Sequence, residues 1–323
     1  NQQDAAINSN ELEKGGDDHD KLDGNSNHQP NGSIARAVLS PDAPMRFRFD
    51  KGINAGTFLH HVLEDIAQYY HEVPSNDIAN NDNAQQELFK STRWAAMIDR
   101  ALRNQQMPAK YFSTLDASYQ PVRYDGLIET PQADYIQLSQ WLFDIIHTPF
   151  GATGQSLVAI DGKHKIAEMG FSLRLKNHLS TNTLNQLLAK HNVALHLQGQ
   201  GNPNAIWRYL RGEIDLVYQH NNEFYVVDYK SNFLGTSLDA YNQSAMMQEM
   251  NKHGYWLQAC IYQVALHRFL KLRLPNYDIT KHLSVVEYVF LRGMSRENNH
   301  TGKLIWRPDV ELIQELDETF GTF

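Results

Sequence analysis

The chain has 323 residues, 41% of them hydrophobic and 20% charged, which suffices for one large globular domain or two small ones. Its formal net charge is -8, and residues 1–30 alone hold seven acids against two bases. Overall charge therefore neither supports nor excludes a nucleic-acid partner, because a local channel can be basic in an acidic protein.

Cysteine usage and apolar runs exclude several classes of protein. Cys260 is the single cysteine, so a disulfide framework, a zinc–cysteine site and an iron–sulfur cluster cannot be built within the chain. A reducing cytoplasm is the simplest compartment for such a chain. No apolar run approaches the length of a membrane span, and residues 1–30 contain no apolar signal core. The chain begins with Asn1, which indicates a piece of a longer protein.

The elements follow in chain order. Residues 1–45 are rich in Asn, Asp, Gly and Ser, which predicts a disordered acidic and polar linker ahead of a folded domain over 46–323. Helical spacing predicts a first helix over 56–70, with Thr57 as its N-cap. Further helices are predicted over 88–103, 134–147, 184–192, 244–272 and 308–320, and strands over 163–173 and 285–291. With a hairpin in the middle, this order predicts an α/β fold whose sheet buries one face against the long helix.

The hairpin is the most informative stretch. Two segments rich in β-branched and aromatic residues flank Asn221-Asn222, which predicts a type I′ turn. In that register Asp215 lies directly opposite Asp228, with Cβ atoms roughly 5 Å apart. Two carboxylates at that spacing repel each other unless a cation neutralises them, and hard cations such as Mg²⁺ prefer carboxylate oxygens. Lys230 points to the same face as Asp228, which is the arrangement of metal-assisted phosphodiester hydrolysis. A solvated charged face is the alternative interpretation of an Asp-x-Lys pattern on a strand.

Two neighbouring histidines lie on the first predicted helix. His60 and His61 flank its apolar face almost symmetrically, each roughly 130° from the centre of that face, so periodicity does not choose between them. Glu64 lies four residues after His60 and is predicted to hold its second ring nitrogen, as metal-bound histidines usually require. Two surface histidines are the alternative interpretation.

Four further polar residues are candidates for the site. Glu168 is the odd polar residue of its apolar strand, and it either faces solvent or supplies another carboxylate to a metal. Gln258 and Tyr262 lie at i and i+4 of the long helix, either as part of a packing stripe or as a polar pair directed at a phosphate or at the hairpin lysine. Arg292 ends a strand, where it either binds phosphate, caps a carbonyl or pairs with an acid.

The order of these motifs resembles one known family, the C-terminal nuclease domain of RecB, a subunit of the RecBCD helicase–nuclease (exonuclease V). The likeness covers about residues 46–320 and is carried by these motifs: Gly56-Thr57-Phe58-Leu59-His60, Glu168-Met169, Gly212-x-x-Asp215, Asp228-Tyr229-Lys230-Ser231-Asn232, Gln258-x-x-x-Tyr262 and Phe290-Leu291-Arg292-Gly293. The chain departs from the family at residues 282–286, where a glycine pair is usual, and at Gly170, where another acid often stands.

The resemblance implies a restriction-endonuclease-like, PD-(D/E)XK core with a mixed sheet flanked by helices. It also implies a Mg²⁺ ion as cofactor, with Ca²⁺ as a non-catalytic substitute. By the resemblance, the ligands of this ion would be His60, Asp215, Asp228 and the main-chain carbonyl of Tyr229. This choice would resolve the ambiguity between the two histidines.

The resemblance also implies roles for the remaining candidates. Lys230 would orient or activate the attacking water, and Glu168 would be an accessory acid. Gln258 and Tyr262 would support the site. The cation would activate water, neutralise the scissile phosphate and stabilise the leaving oxygen.

The function implied is an exodeoxyribonuclease V-type DNase of the bacterial cytoplasm, acting on single-stranded and unwound duplex DNA in double-strand break repair and recombination. RecC-like and RecD-like subunits would be its partners. No Gly-x-x-x-x-Gly-Lys-Ser/Thr phosphate loop is present, so the chain alone should not hydrolyse ATP. The alternative is a non-catalytic nuclease-fold module that binds DNA or a partner subunit. A stand-alone iron–sulfur nuclease would need about four cysteines for its cluster.

Overall fold

The computed structural model describes residues 6–8, 40, 42–69, 80–114, 126–175, 181–193, 209–298 and 300–321. The helices within this part are α1 Met45–Arg48, α2 Ile53–Tyr69, α3 Asp82–Lys90, α4 Thr92–Asn104, α5 Ala133–His147, α6 Thr181–Lys190, α7 Gln243–His253, α8 Tyr255–Arg273, α9 Ile279–His282 and α10 Val310–Phe320. The strands are β1 Ala6–Asn8, β2 Lys165–Arg174, β3 Tyr209–His220, β4 Glu223–Lys230, β5 Leu283–Phe290 and β6 Lys303–Trp306.

The sheet is mixed and is built around the predicted hairpin. β3 and β4 pair antiparallel, β5 adds to β4 in parallel, and β6 pairs antiparallel with β5. β2 pairs antiparallel with β3, and the short β1 runs parallel to the first residues of β3. The parallel β4–β5 pair requires a crossover, which α7, α8 and α9 supply.

Helices cover both faces of the sheet. Neighbouring residues of β4 point to opposite faces, so Val226 and Val227 belong to different apolar clusters. Val227 packs in one cluster with Ile98 of α4 and Leu142 of α5, whereas Val226 packs in the other with Leu266 of α8. The predicted contact with the long helix is confirmed, but the prediction of one buried face was incomplete because the opposite face is covered as well.

Two predicted helices are each divided in the structure. Residues 88–103 span α3 and α4, which meet at Ser91, an extended residue whose side chain accepts a hydrogen bond from Trp94 N and caps α4. The long helix predicted over 244–272 is α7 followed by α8, divided at Gly254 with φ +68°. A left-handed glycine ends a helix without steric cost, which the apolar periodicity alone does not reveal.

Three smaller features also differ from the prediction or lie outside the described residues. α2 begins at Ile53, so Thr57 lies inside the helix and is not its N-cap. The predicted linker over 1–45 lies almost entirely outside the described residues, although Ala6–Asn8 form β1. The edge strand β6 has only four residues and was not predicted. Among the described residues, no helix has the length and apolarity needed to cross a membrane.

Candidate metal centre and the lysine beside it

The hairpin positions the first carboxylate of the site. Asn221 and Asn222 have φ +49° and +69°, as the predicted type I′ turn requires, and the ladder runs from the turn to Leu216 opposite Val227. At the next position the predicted Asp215–Asp228 pair does not continue the ladder. Instead Tyr229 N donates to Asp215 Oδ2 at 2.6 Å. The strands therefore separate where the two aspartates lie, and the Asp215 side chain satisfies a backbone amide there.

Glu168 lies opposite Asp215 on the other side of β3. The pairs Ala167–Leu216 and Met169–Ile214 flank these two acids in the β2–β3 register. Glu168 has φ +49°, a left-handed conformation that costs energy for a residue with a side chain. The left-handed residue also separates the two parts of β2, because Ala167 packs against one apolar cluster and Met169 belongs to the other. The apolar residues of this strand therefore face two different clusters rather than one.

The structure separates the two histidines. His60 Nδ1 lies 3.3 Å from Asp215 Oδ1, whereas His61 Nδ1 lies 3.5 Å from Glu64 Oε2. The expectation that Glu64 would hold His60 is wrong, because on α2 the carboxylate of Glu64 reaches the histidine three residues before it. The remaining oxygen of Glu64 accepts from Gln68. His60 thus faces the carboxylates, and His61 stays on the outer surface.

Three of these side chains form a group with metal-binding geometry. One ligand atom each from His60, Glu168 and Asp215 lies within 4.8 Å of the others, the one such group among the described residues. One imidazole and two carboxylates suit a divalent cation that prefers oxygen with a single nitrogen. The donor set therefore fits a divalent cation; Glu168, predicted as an accessory acid, is one of the three residues, and Asp228, predicted as a ligand, is not part of this group.

The electrostatics of the group point the same way. Burial raises the pKa of Glu168 to about 8, and the Asp215 carboxylate adds to that rise. Burial raises the pKa of Asp228 to about 6, although Lys230 opposes the rise. Burial opposes the positive charge of His60, yet the carboxylates, Asp215 foremost, raise its pKa to about 9. Burial would raise the pKa of Asp215 too, but His60, the Tyr229 amide and Lys230 together outweigh it and lower that pKa. This crowding of acids is the condition that a bound cation relieves.

Asp228 is paired with Lys230. Lys230 Nζ lies 2.9 Å from Asp228 Oδ2, so the two buried side chains form an ion pair. Lys230 Nζ also donates to Gln258 Oε1 at 3.1 Å, and Gln258 Nε2 donates to Tyr262 Oη at 2.9 Å. The predicted contact with Lys230 is confirmed for Gln258, and Tyr262 reaches the lysine only through Gln258.

Two tyrosines around Lys230 were not predicted as site residues. Lys230 Nζ lies 3.8 Å from the ring centroid of Tyr255 and 5.5 Å from that of Tyr288, within the range of cation–π attraction. Tyr288 Oη also donates to Tyr255 O at 2.8 Å and to Gln258 Oε1 at 3.2 Å. Tyr288 pairs with Asp228 across β4 and β5. Knowledge of this parallel register would have identified Tyr288 as a site residue.

Arg292 resolves to one of its three predicted alternatives. It is buried, with 1% of its surface exposed, and its guanidinium donates to main-chain carbonyls, including Ser231 O at 2.9 Å and Asp50 O at 2.6 Å. The carbonyl-capping interpretation is confirmed for this residue, and the phosphate-binding interpretation is not supported.

The amino-acid sequence is similar to those of known proteins. The profile of the PD-(D/E)XK nuclease superfamily matches residues 35–303. The RecBCD enzyme subunit RecB of Haemophilus influenzae is 39% identical over 212 residues, 65% of this chain and 17% of that protein. The protein of the same name from Escherichia coli K12 is 36% identical over 188 residues, 57% of this chain and 16% of that protein. The chain thus spans about a sixth of the length of these relatives.

The superfamily match covers most of the chain, including both strands of the hairpin and the α2 helix that carries His60. The mixed sheet flanked by helices and the acids and lysine at the end of the hairpin agree with that match. The chain belongs to the PD-(D/E)XK nuclease superfamily.

Proposed function

We propose that this chain is a metal-dependent DNA nuclease module that hydrolyses phosphodiester bonds. The observation that carries the proposal is the convergence of His60, Glu168 and Asp215 within 4.8 Å of one another, next to the buried Asp228–Lys230 pair. Acids that are crowded to the point of a raised pKa are unfavourable for stability alone. Such perturbed groups concentrate at functional sites.

His60, Glu168 and Asp215 would hold the cation, with Asp228 and the main-chain carbonyl of Tyr229 as further ligands. We propose Mg²⁺ as the working ion, because its preference for oxygen matches this donor set, and Ca²⁺ as a substitute that binds without supporting turnover. When bound, such an ion lowers the pKa of a water molecule and neutralises charge on the scissile phosphate.

Lys230 would act on the attacking water and on the phosphate. Its ammonium is held between Asp228 Oδ2 at 2.9 Å and Gln258 Oε1 at 3.1 Å, so its position is fixed before substrate arrives. A cation held in this way orients a water molecule and stabilises the charge that grows on the phosphate oxygens. Gln258 and its partner Tyr262 support the site by holding that side chain.

The relatives suggest the setting of this chemistry. Both are named as the RecB subunit of a RecBCD enzyme, and this chain matches about a sixth of each. We infer that the chain is the nuclease module of a RecB-type subunit in bacterial double-strand break repair and recombination, with RecC-like and RecD-like subunits as partners in the cytoplasm. Single-stranded and unwound duplex DNA would be the substrates.

Digestion of linear DNA tests the proposal directly. The chain should degrade linear single-stranded DNA with Mg²⁺, and should not do so with Ca²⁺ or EDTA. Asp228→Ala should abolish cleavage, because the change removes a proposed ligand of the cation. Near wild-type cleavage by this variant would contradict the metal-site assignment. Binding of DNA without cleavage under every divalent cation would instead identify a non-catalytic module.

A further inference from the structure

We propose that Arg292 is a positioning residue that fixes the distance between His60 and the carboxylates of the hairpin. The inference rests on the proposed cation site and adds a residue that acts on it through the main chain. Arg292 lies in the 3₁₀ turn Leu291–Gly293 that follows β5, and only 1% of its surface is exposed. Its guanidinium reaches two separate segments of the chain.

Four main-chain carbonyls accept hydrogen bonds from Arg292. Nε donates to Ser231 O at 2.9 Å. Nη1 donates to Arg46 O at 2.9 Å and to Phe49 O at 3.2 Å. Nη2 donates to Asp50 O at 2.6 Å. Hydrogen bonds from a charged donor are stronger than neutral ones, and the planar guanidinium fixes the angles between them.

These carbonyls belong to the segments that bring the site together from opposite sides. Ser231 directly follows Lys230 at the end of β4. Asp50 lies three residues before the start of α2, and His60 lies two turns into that helix. One rigid side chain therefore ties the end of the hairpin to the entrance of the helix that carries the histidine.

The helix and the strand end approach each other closely at this junction. A Cβ atom added to Gly56 of α2 would lie 2.9 Å from Ser231 Oγ. Real Cβ atoms essentially never show so short a contact, so a larger residue there would require the Ser231 hydroxyl to rotate away or the helix to shift. The same helix carries His60, whose Nδ1 lies 3.3 Å from Asp215 Oδ1, so the two segments that Arg292 joins also meet at the proposed site.

The turn that carries Arg292 is itself held firmly. Trp141 Nε1 donates to Leu291 O at 3.3 Å. A Cβ atom on Gly293 would collide with Tyr241 and would lie 2.8 Å from Gly302 Cα, so the backbone of the turn packs without space to move. Because this turn is tightly packed, Arg292 holds both segments at fixed positions relative to it.

A double-mutant cycle on metal affinity tests this role. Calorimetric Ca²⁺ titrations would compare the wild type, Arg292→Lys, His60→Ala and the double variant. Lysine keeps the positive charge but not the fork that spans four carbonyls. Loss of a residue that orients a ligand typically weakens metal binding by 10–100-fold, so Arg292→Lys should raise the Kd for Ca²⁺ roughly 10-fold. In the His60→Ala background the same change should have an effect of less than about twofold, because the ligand it positions is gone.

Arg268→Lys is the matched control. Arg268 is also buried, with 5% exposed, and it hydrogen-bonds Asp317 and Gly321 O, where α8 meets α10. Its replacement should lower the melting temperature without changing the Kd for Ca²⁺. An Arg292→Lys effect that is absent, or equal in both His60 backgrounds, would overturn the positioning role. A His60→Ala variant with undiminished Ca²⁺ affinity would overturn the proposed cation site instead.

A second variant applies if Arg292→Lys fails to give a folded near-ultraviolet spectrum. Arg292→Gln keeps a planar donor group but is too short to reach both segments that the guanidinium joins. It should raise the Kd for Ca²⁺ with intact His60 and leave it unchanged in the His60→Ala background. A folded Arg292→Gln protein with wild-type Ca²⁺ affinity would overturn the proposal.

Discussion

Replacing Glu168 with glutamine should stabilise the metal-free protein near neutral pH. Burial, reinforced by Asp215, raises the pKa of Glu168 from 4.5 to about 8. The folded protein therefore keeps a proton that the unfolded chain has already released. Because the folded state binds more protons over this interval, stability is full below the unfolded pKa and falls as pH rises from 4.5 towards about 8.

The size of the effect follows from the pKa shift. Each pKa unit corresponds to ~1.4 kcal/mol, so the interval between the unfolded pKa and neutral pH amounts to ~3 kcal/mol. Glu168 is only half-buried, and solvent screening reduces this cost to ~1–2 kcal/mol. Glutamine keeps the size of the side chain and removes its charge. The free energy of unfolding of the variant should therefore exceed that of the wild type by ~1–2 kcal/mol near neutral pH, which corresponds to a few degrees in melting temperature. Near the unfolded pKa of Glu168 the two proteins should be equally stable.

Thermal melts in EDTA across this pH range measure the gain. Glu87→Gln is the control, because Glu87 is an exposed acid on α3 outside the cluster. With free Ca²⁺ at 100 times the Kd of the wild type, the free energy of unfolding of the wild type should rise by ~2.7 kcal/mol. At the same Ca²⁺ concentration that of Glu168→Gln should rise less, because a ligand is lost. A metal-free variant that melts below the wild type near neutral pH, or an equal Ca²⁺ gain in both proteins, would refute the reasoning.

Three further predictions separate ligands from supporting residues. His60→Ala should raise the Kd for Ca²⁺ on the order of 10-fold or more, and His61→Ala should change it little; equal calorimetric effects would contradict the separation of the two histidines. Lys230→Ala should retain Ca²⁺ binding but lose on the order of 10²-fold in Mg²⁺-supported DNA cleavage, whereas loss of metal binding with retained cleavage would make it a structural partner. Tyr288→Phe removes the donor to Gln258 Oε1 and should lower the cleavage rate without changing Ca²⁺ affinity; an unchanged rate would show that this hydrogen bond does not position the lysine.

Local patterns predicted the hairpin well. The Asn221-Asn222 turn fixes the register through backbone conformations that asparagine tolerates, and side-chain alternation then places Lys230 on the face of Asp228. The register rule did not foresee that Asp215 leaves the ladder to accept from Tyr229 N. A side chain that replaces a backbone partner depends on the tertiary position of the strand end, which the pattern of residue types does not encode.

The residues that complete the site come from distant parts of the chain. Helical periodicity left His60 and His61 equivalent, because only packing of α2 against the hairpin distinguishes their directions. The left-handed backbone of Glu168 is likewise set by the sheet around it. Arg292 offered three equal interpretations in sequence, since a guanidinium at a strand end suits a phosphate, an acid or a carbonyl. The structure selects the carbonyls through the chain path from Arg46 to Asp50.

The location of a bound cation tests the central claim most directly. Crystals grown with Mn²⁺, which accepts the same oxygen and imidazole ligands, would be measured at a wavelength where the ion scatters anomalously. The account predicts one strong anomalous peak within about 2.5 Å of His60, Glu168 and Asp215 ligand atoms, and its loss in Asp215→Ala. A peak elsewhere, or none, in a protein that cleaves DNA in the same Mn²⁺ solution would contradict the account.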